Sequence, residues 1–284
     1  MSLKNAVVVG LSRGRQRLLR RISTRKGREA ERVVLLEGSR VLETALESGA
    51  EILFVAREDG RREVLSPRVT RLLGDNRVQV VGVGTDDLRE FTDTEHSQGV
   101  LAVAREPLEG KLGPLSAELR ERSSGTLILD GVRDPGNAGT LVRVAAAFGL
   151  SRVIAVDGTV DPWSAKAVRA SAGLIFRTAI HRLGWEELAV WLKGEHVSLI
   201  VADPAGLDVC ESPPLAAAGE SLGEWALLVG NETVGPRSEA FRAADAHVSI
   251  PMASGVDSLS VATAGAILLW ALGPGNASAK RAPS

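Results

Sequence analysis

Apolar residues along the chain come in short continuous runs separated by stretches with helical spacing. In the first hundred residues the runs "RVVLLEG", "EILFVA", "RVQVVGV" and "QGVLAVA" have strand length and predict strands. Between them the spacing predicts a basic helix near 12–23, helices over 39–48 and 66–73, and a short helix from Thr85. The segment "REPLEGKLGPLS" that follows holds two prolines and two glycines and has no periodicity, which predicts a linker.

Beyond the linker, strand and helix alternate again. The pattern predicts "TLILDGV", a helix from Thr140 to Phe148, "RVIAVDG", a helix over 161–171 begun by Asp161-Pro162, and "LIFRTAI". A helix near 185–193, "VSLIVAD", "WALLVGN", a short helix after Pro236, "HVSIPM" and a final helix complete the series. Continuous apolar strands alternating with helices imply a mainly parallel sheet covered on both faces. Residues 204–224, rich in Pro, Gly and Ala, read as an excursion between strands, and the tail after Gly273 as frayed. The chain thus divides into a small α/β domain over 1–105, a linker over 106–121, a second domain over 122–273 and a flexible tail over 274–284.

Composition narrows the class. With 284 residues and 44% hydrophobic side chains the chain can bury real cores. No run reaches the roughly 18 uncharged apolar residues of a membrane span, and no secretion signal opens the sequence, so the expected compartment is the cytoplasm. Cys210 is the single cysteine, which rules out an intrachain disulfide and fits a reducing environment.

The net charge of −1 conceals an imbalance. The first 40 residues hold eleven Lys/Arg and three Asp/Glu, leaving 23 basic against 32 acidic residues for the remainder. Arg20, Arg21, Arg25, Lys26 and Arg28 lie in the densest part, "SRGRQRLLRRISTRKGRE". Such a segment either faces a polyanion such as RNA or is a solvated helix.

Familiar nucleotide-binding signatures are missing: there is no GxxxxGK[ST] and no GxGxxG after a strand. The four histidines lack zinc-ligand spacing with Cys210, so no metal site is expected. What remains are three loops, each directly after an apolar strand: "GVRDPGNAG", "GNETVG" and "MASGVDS". Each alone reads as a tight turn; together, at the carboxyl ends of parallel strands, they predict a site. Arg143 stands near the start of the predicted helix, where a cation opposes the helix dipole. It either faces an anion or lies along the surface with its stem on the helix. Asn137 satisfies backbone groups in the turn before it, and Glu232 either caps the following turn or binds a ligand. Asp257 or Ser258 is a suitable N-cap for the last helix, which is apolar on nearly every side and must be buried in the domain or against a second subunit.

Three blocks in this order resemble the signature motifs of the SpoU, or TrmH-like, RNA ribose methyltransferases: "DGVRDPGNAGTLVRVAAAFG", "LLVGNETVGPRSE" and "SIPMASGVDSLSVATAGAILL". "DPWSAKAVRASAGLIFR" resembles the family's linking segment, and "RKGREAERVVLLEGSRVLETAL" the start of its substrate-binding domain. The resemblance implies a knotted (trefoil) Rossmann-like methyltransferase domain behind a small α/β RNA-binding domain, a homodimer, and S-adenosyl-L-methionine as cofactor. It implies that Leu228, Val229, Gly230, Asn231, Gly235, Ile250, Met252, Leu259 and Ser260 lie at the cofactor, and that Asn137, Arg143, Glu232 and Ser258 form the catalytic surface. The activity it implies is methylation of a ribose 2′-hydroxyl in RNA, large-subunit ribosomal RNA ahead of transfer RNA. An RNA-binding protein with impaired catalysis is the alternative, motivated by Ser260: the third motif here reads Ser258-Leu259-Ser260 where the family has Ser-Leu-Asn.

Overall fold

The computed structural model describes residues 10–61, 64–92, 98–110, 112, 125–150, 152–210, 224–256 and 258–272. Contacts divide the chain into two compact units: one runs to Leu108 and takes in Trp163–Phe176, the other comprises Glu109–Pro162 and the chain from Arg177 onward.

In the first unit α1 (Arg13–Ile22) starts at Ser12, whose hydroxyl accepts from the Arg15 N–H, and turns Leu19 and Ile22 inward. A second helix that periodicity did not predict, α2 (Arg25–Glu31), follows at once, capped by Thr24. Then come β1 (Val33–Glu37), α3 (Ser39–Glu47), β2 (Ile52–Glu58), α4 (Pro67–Asp75), β3 (Val80–Val83), α5 (Thr85–Arg89) and β4 (Val100–Arg105). The four strands lie in the order β1-β4-β2-β3, with β4 antiparallel to both neighbours and β2 parallel to β3. Leu19, Ile22, Leu35, Phe54 and Val103 share one core.

Residues 163–176, expected in the second domain, pack with this unit. Their helix, α7 (Ala165–Ala170), is shorter than predicted because Ser164 caps it, with its hydroxyl accepting from Ala167. Asp161 is therefore not the cap; it lies before the helix, buried. The Arg169 guanidinium pairs with the buried Glu37 carboxylate of β1. The first half of the predicted strand "LIFRTAI" is a 3-10 turn, Leu174–Arg177.

The second unit holds a six-stranded, wholly parallel sheet in the order β10-β8-β9-β5-β6-β7. Its strands are β5 (Gly125–Leu129), β6 (Arg152–Val156), β7 (Ala179–Leu183), β8 (Ser198–Asp208), β9 (Trp225–Val229) and β10 (Ala246–Ser249). The helices are α6 (Pro135–Ala147), α8 (Trp185–Gly194), α9 (Ser238–Ala243) and α10 (Val261–Leu272). β5, β6 and β9 are buried at every position, as continuous apolar runs predict for a parallel sheet. β8 runs on to Asp208, into the expected excursion, whose residues 211–223 lie outside the described set. The tail, 274–284, and most of the linker lie outside it as well.

Helix α6 begins earlier than predicted. Asp134 is its N-cap, accepting from the Asn137 N–H at 2.9 Å, and Pro135 takes the first position, where its missing N–H costs nothing. Arg143 accordingly sits in the third turn, not the first, and the helix dipole has no bearing on it. Helix α10 lies close on α6: a Cβ at Gly265 would come within 2.4 Å of Leu141 Cδ2.

Candidate active site

The strand order sets where a ligand can enter. From β5 the chain moves outward to β6 and β7, whereas β9 leads to β10 on the opposite flank, so the strand order reverses between β5 and β9. The loop after β9 lies at this reversal, tied on one side to the loop after β5 and facing the loop after β10 on the other.

The loop after β9 is folded on itself. Asn231 and Gly235 exchange backbone hydrogen bonds at 3.1 and 3.0 Å, and Asn231 Oδ1 accepts from the Thr233 and Val234 N–H groups. Asn231 Nδ2 donates to the Gly131 carbonyl at 2.8 Å, which ties the loop to the one after β5. At Gly230 a Cβ would fall 2.1 Å from the Pro236 nitrogen, so only glycine fits.

Arg237 closes the loop. Its N–H and Nε each donate to the Asp130 carboxylate at 2.8 Å, and Nη2 donates to the Asp157 carbonyl at 2.9 Å. The guanidinium also lies over the Trp185 ring. Burial works against its charge, but Asp130 and Asp157 outweigh burial and hold its pKa above the ordinary value. Sequence reasoning named none of Asp130, Asp157 and Arg237; an acid just past a buried strand was the available signal.

Glu232 reaches from this loop to the start of α6. Its carboxylate accepts from the Arg133 and Asp134 N–H groups at 3.2 and 3.3 Å and from Asn137 Nδ2 at 3.0 Å. Partial burial would raise its pKa, yet the Asn137 amide and the backbone donors prevail and hold it below the usual carboxylate value. Of the two sequence readings, Glu232 caps, but across the sheet and not within its own turn.

A cleft of about 320 Å³ opens between the middle of β8 and the loops after β9 and β10, a size within the range of small-molecule sites. Val229, Gly230, Asn231, Gly235, Ile250, Met252 and Leu259 line it, together with Glu232 and Ser258. Leu228 lies fully buried in β9. Asn137 is outside the lining and joins the site through Glu232. Arg143 is exposed on α6, and among the described residues it forms no hydrogen bond or ion pair.

Ser260 also lies outside the lining and has a structural duty. Its Oγ accepts from the Thr263 N–H at 3.2 Å while its carbonyl accepts from the Ala264 N–H at 2.9 Å, which makes it the N-cap of α10. Of the two expected caps, Ser258 lies two residues too early, and Asp257 is outside the described residues. Serine and asparagine are equally good N-caps, so serine at this position keeps the cap that an asparagine would supply.

The basic arm of the first unit is only partly free. Arg20 pairs with Glu90, Arg21 with Glu31 and Arg25 with Glu29, all near the surface. Lys26 is exposed, as are Arg13 and Arg17. Arg28, expected at RNA, is instead buried, and its guanidinium donates to the Ile22 and Ser23 carbonyls at the end of α1. Among the described residues no cluster of His, Cys, Asp and Glu is placed to hold a metal ion, and no helix is long and apolar enough to cross a membrane.

Residues 124–270 match the family model described as the SpoU rRNA Methylase family, and residues 16–102 match the MRM3-like substrate binding domain. The chain is 31% identical to the 23S rRNA (guanosine(2553)-2'-O)-methyltransferase RlmP of Bacillus subtilis, over 89% of this chain and 93% of that protein. It is 30% identical to human mitochondrial rRNA methyltransferase 3, over 88% of this chain and 69% of that one. Its fold is similar to that of the SpoU methyltransferase AviRb from Streptomyces viridochromogenes in complex with AdoMet (TM-score 0.79, 26% identity, 94% of this chain and 99% of that one). With a family model spanning more than half of its residues and relatives of this identity over most of their length, the chain belongs to the SpoU rRNA methylase family.

Proposed function

We propose that this chain transfers a methyl group from S-adenosylmethionine to a ribose 2′-hydroxyl of RNA, and that the RNA is large-subunit ribosomal RNA. The observation that carries the reading is that two family motifs, the loops after β9 and β10, line one cleft at the carboxyl ends of a parallel sheet, and the third, at the start of α6, is tied to that cleft through Glu232. The names of the relatives from B. subtilis and human support ribosomal RNA over transfer RNA.

The cleft suits the cofactor chemically. Ile250, Met252 and Leu259 offer apolar surface to an adenosyl group, and the glycine required at Gly230 lets the loop after β9 fold tightly against Pro236 at the cleft wall. When bound, S-adenosylmethionine supplies a methyl group on an already activated sulfonium. The protein's task is to align the ribose hydroxyl and favour its loss of a proton. The exposed Arg143 guanidinium is free to bind a neighbouring phosphate and to stabilise developing alkoxide charge; guanidinium groups in proteins keep their protons and do not act as bases. Asn137 and Glu232 hold the β5–α6 loop in register with the cleft, and Ser258 offers a hydroxyl at its mouth.

In this reading the first unit holds RNA through its exposed cations, the second carries the knotted catalytic domain, and two copies associate through the exposed apolar face of α10. The enzyme works in the cytoplasm. The cap formed by Ser260 supports an active enzyme over an impaired one, because serine starts α10 as well as an asparagine could.

The test is transfer of labelled methyl from S-adenosylmethionine to unmodified ribosomal and transfer RNA. The expected product is labelled ribosomal RNA whose methylated site resists alkaline cleavage. Label confined to transfer RNA would replace the substrate; no label in either, from folded protein, would overturn the activity.

A further inference from the structure

The wall of the cleft contains a carboxylate with no assigned role. β10 pairs with β8 through Ala246 opposite Ile200 and His247 opposite Val201, then resumes with Val248 opposite Leu207. Residues 202–206 of β8 therefore arch out of the ladder with β10. The arch is held from within and from β10. Asp203 Oδ1 accepts from the Ala205 N–H at 2.9 Å, and the Ser249 hydroxyl donates to the Gly206 carbonyl at 2.9 Å. Gly206 passes so near to β10 that a Cβ would lie 2.6 Å from the His247 carbonyl carbon. The result is that Ala202, Asp203 and Pro204 join Gly230 and Met252 in the lining of the cleft. His247 Nδ1 faces Asp203 Oδ2 at 3.3 Å, and its ring stacks on Phe241.

Charge indicates what such a wall selects. Among the described residues that line the cleft, Asp203 and Glu232 are the ionisable ones, and no Lys, Arg or His accompanies them. Glu232 already accepts three hydrogen bonds from the start of α6, whereas Asp203 accepts one from Ala205 and faces His247 with its other oxygen, so its carboxylate keeps acceptor capacity for a ligand. A negative group in a largely apolar recess, poorly screened by water, favours a positive partner. Resting on the function proposed above, we infer that Asp203 recognises a positively charged group of the bound methyl donor, its sulfonium or its α-ammonium. The cleft thereby favours the charged donor over uncharged adenosyl compounds. Loss of the methyl group removes the sulfonium charge, so a contact at the sulfonium would also loosen the product.

Calorimetric titration of the wild-type chain and Asp203→Asn with S-adenosylmethionine, S-adenosylhomocysteine and 5′-methylthioadenosine tests this. Asparagine keeps the oxygen that caps the turn and removes the charge. The variant should bind S-adenosylmethionine about ten- to a hundredfold more weakly, the loss of a charged hydrogen bond, with methylthioadenosine affinity unchanged. A similar loss for S-adenosylhomocysteine identifies the ammonium as the partner; a loss confined to S-adenosylmethionine identifies the sulfonium. Unchanged affinity for S-adenosylmethionine overturns the assignment, and so does an equal loss for methylthioadenosine, which would mean that the cleft had changed shape. Failure of the wild type to bind S-adenosylmethionine would instead bring down the proposed function itself.

Discussion

Glu232 and Asn137, 95 positions apart in sequence, meet with carboxylate and amide 3.0 Å apart. The contact joins the loop after β9 to the first turn of α6, and it is strongest while Glu232 is ionised.

The stability that this carboxylate contributes should therefore depend on pH. Its folded pKa lies below the ordinary value of 4.5, so the contribution is fully present above about pH 4.5 and is lost as pH falls through the lowered folded value. Thermal melts of wild type and Glu232→Gln should differ most near neutral pH and converge in acid. A difference that grows on acidification would contradict the role. At neutral pH the same variant should also lose methyl transfer, because the β5–α6 loop is no longer held.

Arg143 presents the opposite case: it is exposed and, among the described residues, supports no other group. Arg143→Ala should leave the melting temperature and cofactor affinity nearly unchanged while lowering methyl transfer about 10²- to 10³-fold, the scale of a lost transition-state donor. Single-turnover kinetics would check this, and unchanged turnover would remove Arg143 from the mechanism.

What the sequence disclosed and what it concealed have separate physical origins. Strands such as Leu127–Leu129 and Ala226–Val229 were legible because burial on both faces demands unbroken apolar runs. The start of α6 was not, because Asp134-Pro135-Gly136-Asn137 suits a turn as well as a capped helix. Helix α2 was missed because it is short, highly charged and interrupted by Gly27. Arg28 was misread because charge alone does not distinguish a solvated guanidinium from one that satisfies buried carbonyls. The three loops could be named from the sequence, but Glu232 on Asn137 and Arg237 on Asp130 exist only once the sheet brings their strands together.

Ser260 gives a test with two opposed substitutions. Ser260→Ala removes the acceptor for the Thr263 N–H and should cost about 1 kcal/mol in urea denaturation. Ser260→Asn should leave both stability and methyl transfer near wild type, since either residue caps the helix. A marked gain in turnover with asparagine would show that this position does more than cap α10.

The basic arm can be divided by experiment. Neutralising Arg13, Arg17 and Lys26 together should weaken RNA binding and make the log–log salt dependence shallower by about 2 to 3. Arg28→Ala should instead destabilise the fold by about 1.5 to 3 kcal/mol by leaving the Ile22 and Ser23 carbonyls without their donor. An unchanged salt slope in the triple variant would mean that these cations face something other than phosphate.

Helix α10 exposes two large apolar side chains, Trp270 at 50% and Ile267 at 37% of their surface, one turn apart on one side of the helix. Ala262, Leu268, Leu269 and Leu272 already fill the inward side, so the helix does not need the outer face for its own packing. Covering that face with a second copy would recover about 1 to 3 kcal/mol per protomer. Trp270→Glu places a charge where the proposed dimer would bury it, at little cost to the isolated chain. Light scattering should then report a monomer, or a dissociation constant raised at least about tenfold, with an unchanged far-UV spectrum. Methyl transfer should fall with the dimer fraction as the variant is diluted. A dimer of undiminished affinity would move the contact to another face.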